Sequence, residues 1–434
     1  MQIKNQKAIL DKLGIFQLNE MQEEAQLAVH SSSEVIILSP TGTGKTLAFL
    51  LPILSEINTG IPSTQAIVIA PSRELAIQLE QVAREMGTGH KVNVVYGGRA
   101  ISKDKIDLAT APALVVGTPG RLADHLRRGT IDAEYISTIV FDEFDKSLEI
   151  GFEGQMSEIM QSLPAIQKKI LTSATKGVDI PKFVELSNPV VIDHLAEGVQ
   201  KLNLRKITSP TKDKLETLGK TINHLGGAPG IVFCNYKDSI QRVSDYLYDM
   251  GINHGCFYGG MEQKDRERAL IKFRNGSHQI LLATDLAARG IDVPEIKYII
   301  HYHLPHRAEE FTHRNGRTAR MHKEGTAYIL YYEGDDLPDF IHIDREEFLA
   351  EAEPPKPSEW STIFISGGRQ DKISKGDIAG LFMKQGGLQK DELGNIELKQ
   401  DCAFVAVHKS KAEKTVKILD DSRLKKRKVR IKIV

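Results

Sequence analysis

Residues 39–46, with the sequence SPTGTGKT, carry the residue types of a nucleotide phosphate site. They follow the apolar run 35–38 and precede a helix-like stretch at 47–51. A strand, a tight loop and a helix start in that order surround an anion with backbone N–H groups and the helix dipole. Lys45 would then contact the β- and γ-phosphates of a nucleoside triphosphate, and Thr46 would contact Mg²⁺.

The loop before Lys45 supplies the rest of this predicted site. The residues expected to surround the phosphates are Thr41, Gly42, Thr43 and Gly44. Ser39 stands where the common pattern has its first glycine. A glycine turn with a surface lysine is therefore the alternative interpretation of this segment.

A second chemical group follows the apolar run 139–141, where Asp142 and Glu143 stand side by side. An acid at the carboxyl end of a strand can hold Mg²⁺ through a water, and the adjacent glutamate can orient or deprotonate an attacking water. A solvated acidic loop is the alternative. We predict that Asp142 binds the metal together with Thr46 and that Glu143 is catalytic.

The third group is basic. Arg317 and Arg320 are three residues apart, so they share one face of a helix. Two guanidinium groups so placed suit the role of an arginine finger, typically worth about 10³–10⁵ in rate. A solvated basic helix is the alternative interpretation.

The elements that must position these groups are two series of short apolar runs separated by helix-like stretches. Continuous β-branched runs of this kind predict buried parallel strands in α/β domains. The runs of the first series lie at 66–70, 92–95, 113–116, 138–141 and 169–172, and those of the second at 231–234, 254–258, 279–283, 298–301 and 327–330. We predict domains at 1–202 and 213–345, a linker at 346–360 and a tail domain at 361–434.

Composition describes an ordinary globular chain of 434 residues, with 41% hydrophobic and 26% charged residues. It shows neither a membrane-span run nor a signal-peptide pattern, so we expect a cytoplasmic protein, with a monomer as the default. The three cysteines at 234, 256 and 402 are too scattered for a disulfide framework or a CxxC metal site. Residues 361–434 contain 17 Lys and Arg against 9 Asp and Glu, a net charge of +8 that favours a polyanion partner.

Taken together, these segments resemble the motifs of the DEAD-box RNA helicases, a superfamily 2 family with two RecA-like domains. The resemblance runs from residue 14 to about residue 330, and the motifs stand in the family's order. They are the Q motif at 14–22, the segments 39–46, 71–76, 97–98, 118–121, 142–145 and 173–175, and in the second half Gln263 with Arg266 and the segments 283–292 and 313–320.

This resemblance implies an RNA-dependent ATPase with ATP and Mg²⁺ as cofactors. It assigns Gln22, Gly290 and Asp292 to nucleotide binding and adds His313 to the catalytic set of Lys45, Asp142, Glu143, Arg317 and Arg320. It assigns RNA binding to Pro71, Arg73, Gly98, Arg99, Thr118, Gly120, Arg121, Gln263, Arg266 and Thr284. Glycines and small hydroxyls at such positions let a phosphodiester chain approach the backbone.

Two positions depart from the family pattern. Phe144 occupies the alanine position of D-E-A-D, and its ring is expected to lie beside the metal and the 173–175 motif. Asn19 occupies the usual threonine position of the Q motif. His301, His303 and His306 could suggest a metal site, but no ligand cluster accompanies them, so we interpret them as strand-end histidines.

The tail reads as strand, helix, strand, strand, helix, strand, which predicts a small RRM-like α+β domain. Its first helix is expected to begin with Asp377 as N-cap. In the closing strand Lys428, Arg430 and Lys432 alternate with apolar residues and give one cationic face, which is either an RNA surface or a lysine-protected edge. The segment resembles the DbpA-type RNA-binding domain, which implies a structured ribosomal RNA hairpin as ligand.

The sequence therefore predicts an ATP-dependent RNA helicase that locally remodels structured RNA, with ribosomal RNA during ribosome assembly as the implied target. An ATP-gated RNA clamp with little unwinding is the alternative, with Phe144 as its best support. A DNA translocase would share the two RecA-like domains but not the tail.

Overall fold

The computed structural model describes residues 6–176, 179–196, 202–285, 293, 296–318 and 325–434. These residues form two compact units, one ending before residue 202 and one beginning there. No helix among the described residues has the length and apolar character needed to cross a membrane.

The first unit is built around a parallel sheet whose strands occur in the order β3-β4-β2-β5-β6-β1-β7. Its described strands are β1 (Glu34–Leu38), β2 (Ala66–Ile69), β3 (Val92–Val95), β4 (Leu114–Gly117), β5 (Thr138–Phe141), β6 (Lys168–Ser173) and β7 (Val190–Asp193). The central strands β2, β4 and β5 are buried along their whole length, which explains their continuous apolar sequence.

Helices cover both faces of this sheet and enclose two hydrophobic clusters, one around Phe49 and one around Phe141. The helices are α1 (Gln6–Leu13), α2 (Glu20–Ser31), α3 (Lys45–Glu56), α4 (Arg73–Glu85), α5 (Ile101–Leu108), α6 (Pro119–Arg127), α7 (Phe144–Glu149) and α8 (Glu153–Gln161), with a 3₁₀ turn at Lys182–Val184. Capping residues in the sequence determine where two of these helices begin. The Ser72 side chain caps α4, and Pro119 occupies the first turn of α6.

The second unit begins with another parallel sheet, in the order β10-β11-β9-β12-β13-β8-β14. Its described strands are β8 (Leu202–Ser209), β9 (Gly230–Phe233), β10 (His254–Phe257), β11 (Ile280–Ala283), β12 (Tyr298–His301), β13 (Gly325–Tyr332) and β14 (Arg345–Glu346). Its described helices are α9 (Leu215–Leu225), α10 (Lys237–Asp249), α11 (Gln263–Arg274) and α12 (Ala308–Asn315). The Glu346 and Glu347 side chains bond to Thr208 and Arg205 of β8, so this sheet reaches into the segment predicted as a linker.

The tail belongs to the same compact unit and has an antiparallel sheet in the order β16-β17-β15-β20. Its strands are β15 (Trp360–Ile365), β16 (Leu393–Leu398), β17 (Ala403–His408) and β20 (Ile431–Ile433), with a hairpin of β18 (Arg423–Leu424) and β19 (Arg427–Lys428). Two helices, α13 (Lys375–Gly380) and α14 (Lys409–Leu419), pack on one face of the sheet around Phe382. The predicted fold class, two parallel-sheet domains followed by a small α+β domain, is confirmed.

Two details of the predicted tail are wrong. The N-cap of α13 is Ser374, whose hydroxyl accepts from the Asp377 N–H, while the Asp377 carboxylate accepts from the Ser374 N–H. Asp377 is thus the acidic partner of a capping box. The predicted closing strand is also interrupted, because Lys428 lies in β19 and only Lys432 of the three predicted cations lies in β20.

Candidate functional site

The phosphate loop lies between β1 and α3, as its sequence predicts. Gly42 and Gly44 have φ of 88° and 90°, a left-handed conformation that glycine adopts without strain. Gly44 is the N-cap of α3, so the N-terminus of this helix opens into the loop. The Lys45 Nζ atom donates to the carbonyl oxygen of Pro40 at 2.8 Å and to that of Ser39. The ammonium group is therefore held within the loop.

Hydroxyl groups close the loop at its base. The Ser39 Oγ donates to the Thr43 Oγ1 at 2.7 Å, and the Thr43 Oγ1 donates to the Pro40 carbonyl at 2.9 Å. Ser39, which replaces a glycine of the common pattern, therefore contributes a bond that glycine cannot make. Thr41 lies in the same loop and Thr46 in the first turn of α3.

The Q-motif residues contact this loop directly. Asn19 and Gln22 form a capping box at the start of α2, in which each side chain accepts from the other's backbone N–H. Their amide groups also donate outward, from Asn19 Nδ2 to the Thr43 carbonyl at 2.9 Å and from Gln22 Nε2 to the Gly44 carbonyl at 3.2 Å. The asparagine at the family's threonine position thus caps the helix and holds the loop at once.

Asp142 and Glu143 follow β5, at the carboxyl edge of the sheet where the phosphate loop also begins. The Thr172 hydroxyl, at the end of neighbouring β6, donates to Asp142 Oδ1 at 2.5 Å and accepts from the Glu143 N–H at 3.1 Å. Burial, with the nearby Glu143 charge, raises the pKa of Asp142 to about 7. A buried carboxylate in this position is one that a cation would stabilise.

The acidic motif is joined to residues 173–175 by a second contact. The Thr175 Oγ1 donates to Asp145 Oδ2 at 2.9 Å, and the Ser173 Oγ accepts from the Thr175 N–H at 3.0 Å. Phe144 lies in the hydrophobic core, where its ring meets the edge of Phe141 with centroids 5.7 Å apart. The ring is therefore accommodated in the core, directly after Asp142 and Glu143 in the chain.

The predicted RNA-binding residues of the first unit gather around two turns. Pro71 and Arg73 lie at the start of α4, and the Arg73 guanidinium covers the pair Gly97 and Gly98. A Cβ on Gly98 would lie 2.7 Å from Arg73 Nη1, so a side chain there would displace the arginine. Thr118, the N-cap of α6, has its backbone N–H bonded to the Val95 carbonyl at 3.1 Å.

A fully buried carboxylate connects these turns. Asp104 of α5 bonds to Arg99 Nη1 at 2.9 Å through Oδ1 and to His125 Nε2 at 3.0 Å through Oδ2, and Oδ2 forms an ion pair with Arg121 at 2.9 Å. Arg121, which follows Gly120, also donates to the Arg99 carbonyl. Arg99 and Arg121 therefore share one buried acid, which fixes the backbone on both sides of the predicted RNA track.

In the second unit, Gln263 and Arg266 lie in the first turn of α11. The Arg266 guanidinium lies 4.7 Å from the ring centroid of Phe257, the last residue of β10. The Thr284 N–H donates to the Phe257 carbonyl at 3.3 Å. Arg266 and Thr284 thus meet at the carboxyl ends of β10 and β11, and Gln263 is the first residue of the helix that carries Arg266.

Arg314, which stands next to the catalytic candidate His313, fixes the end of α12. Its guanidinium bonds to both carboxylate oxygens of Asp285 at 2.5 and 2.6 Å, to Asn235 Oδ1 at 2.8 Å and to the His303 carbonyl at 2.7 Å. These partners follow β11, β9 and β12, so one buried arginine ties the helix that leads to Arg317 to three strand ends. Gly290, Asp292 and Arg320 lie outside the described residues.

The strand-end histidines have hydrogen-bonding roles. His301 Nε2 bonds to Asn315 Oδ1 at 3.1 Å, and burial together with Arg314 lowers the pKa of His301 to about 3. His303 Nδ1 accepts from the Asn235 N–H, and His306 Nε2 contacts the Asn235 side-chain amide at 3.0 Å. These bonds agree with the interpretation of the three residues as strand-end histidines.

Within the second unit, the open face of the tail sheet packs on the end of α11. Arg274 forms a bidentate ion pair with Glu397 of β16, from Nε to Oε1 at 2.6 Å and from Nη2 to Oε2 at 2.8 Å. The Thr362 hydroxyl, only 1% exposed, bonds to Ser277 Oγ at 2.7 Å and accepts from Asn275 Nδ2 at 3.2 Å. The second parallel-sheet domain and the tail are therefore joined by buried polar bonds.

The tail cations have partners within the tail itself. Arg430 pairs with Asp420 at 3.2 Å, Lys428 pairs with Asp421 at 3.5 Å, and Lys432 lies over the Phe364 ring at 5.8 Å. Lys425 and Lys426 form the exposed turn of the β18–β19 hairpin. The cationic surface of the tail is thus a hairpin with flanking residues and not one face of a strand.

Sequence reasoning missed Thr172, Asp104 and Thr362. Each is a polar residue whose partners are distant in sequence, so no local pattern marks it. A signal existed for Asp104 alone, since an aspartate within the amphipathic stretch after the Gly97–Gly98 pair is an acid at a position expected to be buried.

Comparisons with known proteins agree with this geometry. The DEAD/DEAH box helicase family matches residues 19–182, the helicase conserved C-terminal domain matches 213–322, and the DbpA RNA binding domain matches 362–433. The chain is 30% identical to the ATP-dependent RNA helicase DbpA of Escherichia coli (strain K12), over 98% of this chain and 96% of that protein. It is 29% identical to the ATP-dependent RNA helicase DbpA of Bacillus subtilis, over 97% and 96%.

Solved structures show the same fold for the two sheet domains. The structure of S. cerevisiae Dbp5 bound to RNA and ADP BeF3 is 27% identical, with a TM-score of 0.68 over 75% of this chain and 87% of that chain. The structure of Mss116 bound to ssRNA and UDP-BeF has a TM-score of 0.70 at 22% identity, over 80% and 78%, and supports the fold alone.

Proposed function

The chain belongs to the DbpA-type DEAD-box family of ATP-dependent RNA helicases, and from that premise we propose that it uses Mg²⁺-ATP to unwind structured RNA locally, with ribosomal RNA during ribosome assembly as its target. We place this activity in the cytoplasm and assign it to a monomer.

ATP binds at the phosphate loop in this proposal. Backbone N–H groups at Gly42 and Gly44 contact the phosphates, and Lys45 leaves the loop carbonyls to neutralise them. Oxygen ligands suit Mg²⁺, so the Thr46 hydroxyl and the Asp142 carboxylate would hold it, and the ion would neutralise charge on the phosphates. The buried carboxyl of Asp142, with its pKa near 7, fits that assignment because a cation offsets the cost of its charge.

Hydrolysis needs a positioned water and a stabilised transition state. Glu143 orients the water, and Arg317 with Arg320 supplies positive charge to the γ-phosphate when ATP and RNA bring the two units together. His313 stands beside the Arg314 anchor, which fixes the end of α12. The contact between Asp145 and Thr175 would transmit the state of the acidic motif to residues 173–175.

RNA contacts come from two places. The turns at Gly98 and at Thr118 to Gly120 follow the phosphodiester backbone, which carries little sequence information. Recognition of one structured RNA falls to the tail. The observation that carries the proposal is the docking of the tail sheet on α11, because it places the cationic β18–β19 hairpin on the same body as Gln263 and Arg266.

The experiment that tests the proposal compares ATP turnover by the full chain alone, with single-stranded RNA, with duplex DNA and with a ribosomal RNA fragment that contains a hairpin. We expect the fragment to stimulate turnover most and a flanking duplex to be displaced. Equal stimulation by DNA would contradict it in favour of a translocase. Retention of RNA without displacement would favour the ATP-gated clamp.

A further inference from the structure

Thr172 is a fully buried residue at the carboxyl end of β6, and its hydroxyl contacts both catalytic acids. It donates to Asp142 Oδ1 at 2.5 Å and accepts from the Glu143 N–H at 3.1 Å. A hydroxyl has one hydrogen and two lone pairs, so both bonds can form together. One side chain thus holds the carboxylate of the first acid and the backbone of the second.

The backbone at Glu143 needs such a contact. This residue has φ 46° and ψ 54°, in the left-handed region that is unfavourable for a non-glycine residue. It is also the N-cap of α7. The bond from its N–H to Thr172 therefore opposes a return to an ordinary backbone conformation, which would turn the Glu143 carboxylate away.

The pairing of β5 with β6 brings Thr172 next to Asp142. β5 and β6 are parallel neighbours, with Phe141 opposite Leu171, so Asp142 and Thr172 are the next residues along each strand. Thr172 is followed by Ser173, the first residue of the motif that also contacts Asp145 through Thr175. Three hydrogen bonds therefore join the segments 142–145 and 172–175.

We propose that Thr172 is a positioning residue for Mg²⁺-ATP hydrolysis, which sets the rotation of the Asp142 carboxylate toward the metal and the orientation of Glu143 toward the water. This inference rests on the proposed roles of Asp142 and Glu143. Thr172 itself touches neither nucleotide nor metal in this assignment. Groups that orient a metal-binding carboxylate typically change metal affinity or activity by about 10–100-fold when removed.

The test replaces Thr172 in two ways and measures Mg²⁺ dependence. Thr172→Val removes the hydroxyl and keeps the branched shape, whereas Thr172→Ser keeps the hydroxyl and removes the methyl group. The first readout is the Mg²⁺ concentration for half-maximal binding of a fluorescent ATP analogue, and the second is kcat at saturating RNA. We expect the valine variant to need about tenfold more Mg²⁺ and to lose about tenfold in kcat, and the serine variant to resemble the native protein.

Thr221→Val is the matched control. Thr221 is also fully buried, but its hydroxyl donates to the Thr217 carbonyl inside α9, in the other unit. The same chemical change there should leave both readouts unchanged. Should the valine variant at 172 not fold, Thr172→Ala makes the same test because it also removes the hydroxyl without adding bulk.

Two results would overturn the inference. One is a valine or alanine variant with native Mg²⁺ dependence and native kcat. The other is a serine variant as impaired as the valine variant, since packing of the methyl group would then be the cause. Failure of the proposed function looks different, because the native protein would then bind the nucleotide analogue without any dependence on Mg²⁺.

Discussion

The side-chain amide of Asn19 donates a hydrogen bond to the backbone carbonyl of Thr43, at 2.9 Å. This bond joins the start of α2 to the phosphate loop, although the two residues are 24 positions apart in the sequence. It gives the Q motif a direct mechanical connection to the residues that would surround a phosphate.

Substitution of Asn19 separates this bond from helix capping. Asn19→Ser keeps a side-chain oxygen for the cap but is too short to reach Thr43, so we expect weaker ATP binding with little loss of stability. Asn19→Ala loses both functions and should lower the free energy of unfolding by about 1 kcal/mol as well. Fluorescent nucleotide titration and chemical denaturation measure the two effects. Native ATP affinity in the serine variant would show that the bond to Thr43 is not used.

Glu143→Gln tests the hydrolytic role directly. The amide keeps the size of the carboxylate but cannot take a proton, so turnover should fall by about 10²–10⁴ while ATP binding persists. RNA should then be retained longer in the presence of ATP, as measured by dissociation of a labelled strand. Lys45→Ala is the contrasting variant, since it should lose nucleotide binding itself. Native turnover in both variants would refute the site assignment.

Asp104→Asn tests the buried acid beneath the predicted RNA track. With the charge removed, Arg99 and Arg121 lose a shared partner, so the RNA concentration for half-maximal ATPase stimulation should rise by about tenfold. Nucleotide binding without RNA should not change. Asp107→Asn is the control, because Asp107 pairs with Arg99 at a half-buried position and does not contact Arg121 in the described contacts. An equal effect of both variants would argue for a loss of charge and against a role in positioning.

Thr362→Val tests the joint between the second sheet domain and the tail. It leaves the buried groups of Asn275 and Ser277 without their partner, which should cost about 1–3 kcal/mol of unfolding free energy. Thr362→Ser keeps the hydroxyl and should cost less. Amide hydrogen exchange should rise in β15 and at the end of α11 in the valine variant. Unchanged exchange at both places would show that the tail is not held by this contact.

His301 predicts an acid-sensitive second unit. Burial and the adjacent Arg314 lower the pKa of His301 to about 3 in the folded protein. His301 therefore stays neutral in the folded protein down to about pH 3, whereas in the unfolded chain it is protonated below its ordinary pKa of 6.5. Stability therefore falls as the pH decreases from about 6.5 toward 3, by about 2 kcal/mol between pH 6.5 and 4.5. His301→Asn removes the titrating ring and should flatten this part of the stability curve. Denaturation at several pH values measures the difference, and identical slopes would refute the assignment.

The central strands of both parallel sheets could be predicted because buried strands have continuous β-branched sequences that need no partner to be recognised. Strands β7, β8 and β14 are not among the predicted runs, and β8 lies between the two predicted domains, whose boundary at residue 213 is therefore too late. The phosphate loop, Asp142 and the run from His313 to Arg317 could be predicted because their chemistry is local in sequence. Thr172 and Thr362 could not, since each acts through partners that only the folded chain brings near. The same reason explains Ser374, whose capping role depends on where the preceding chain enters α13.

The docking of the tail on α11 has a practical consequence for protein engineering. The open face of the tail sheet is held by Asn275 and Ser277, which both bond to Thr362. A chimera that joins this tail to another helicase without residues 274–277 would lack these docking contacts. The tail would then be connected only by its linker, and RNA bound to it would have no fixed orientation relative to the helicase domains.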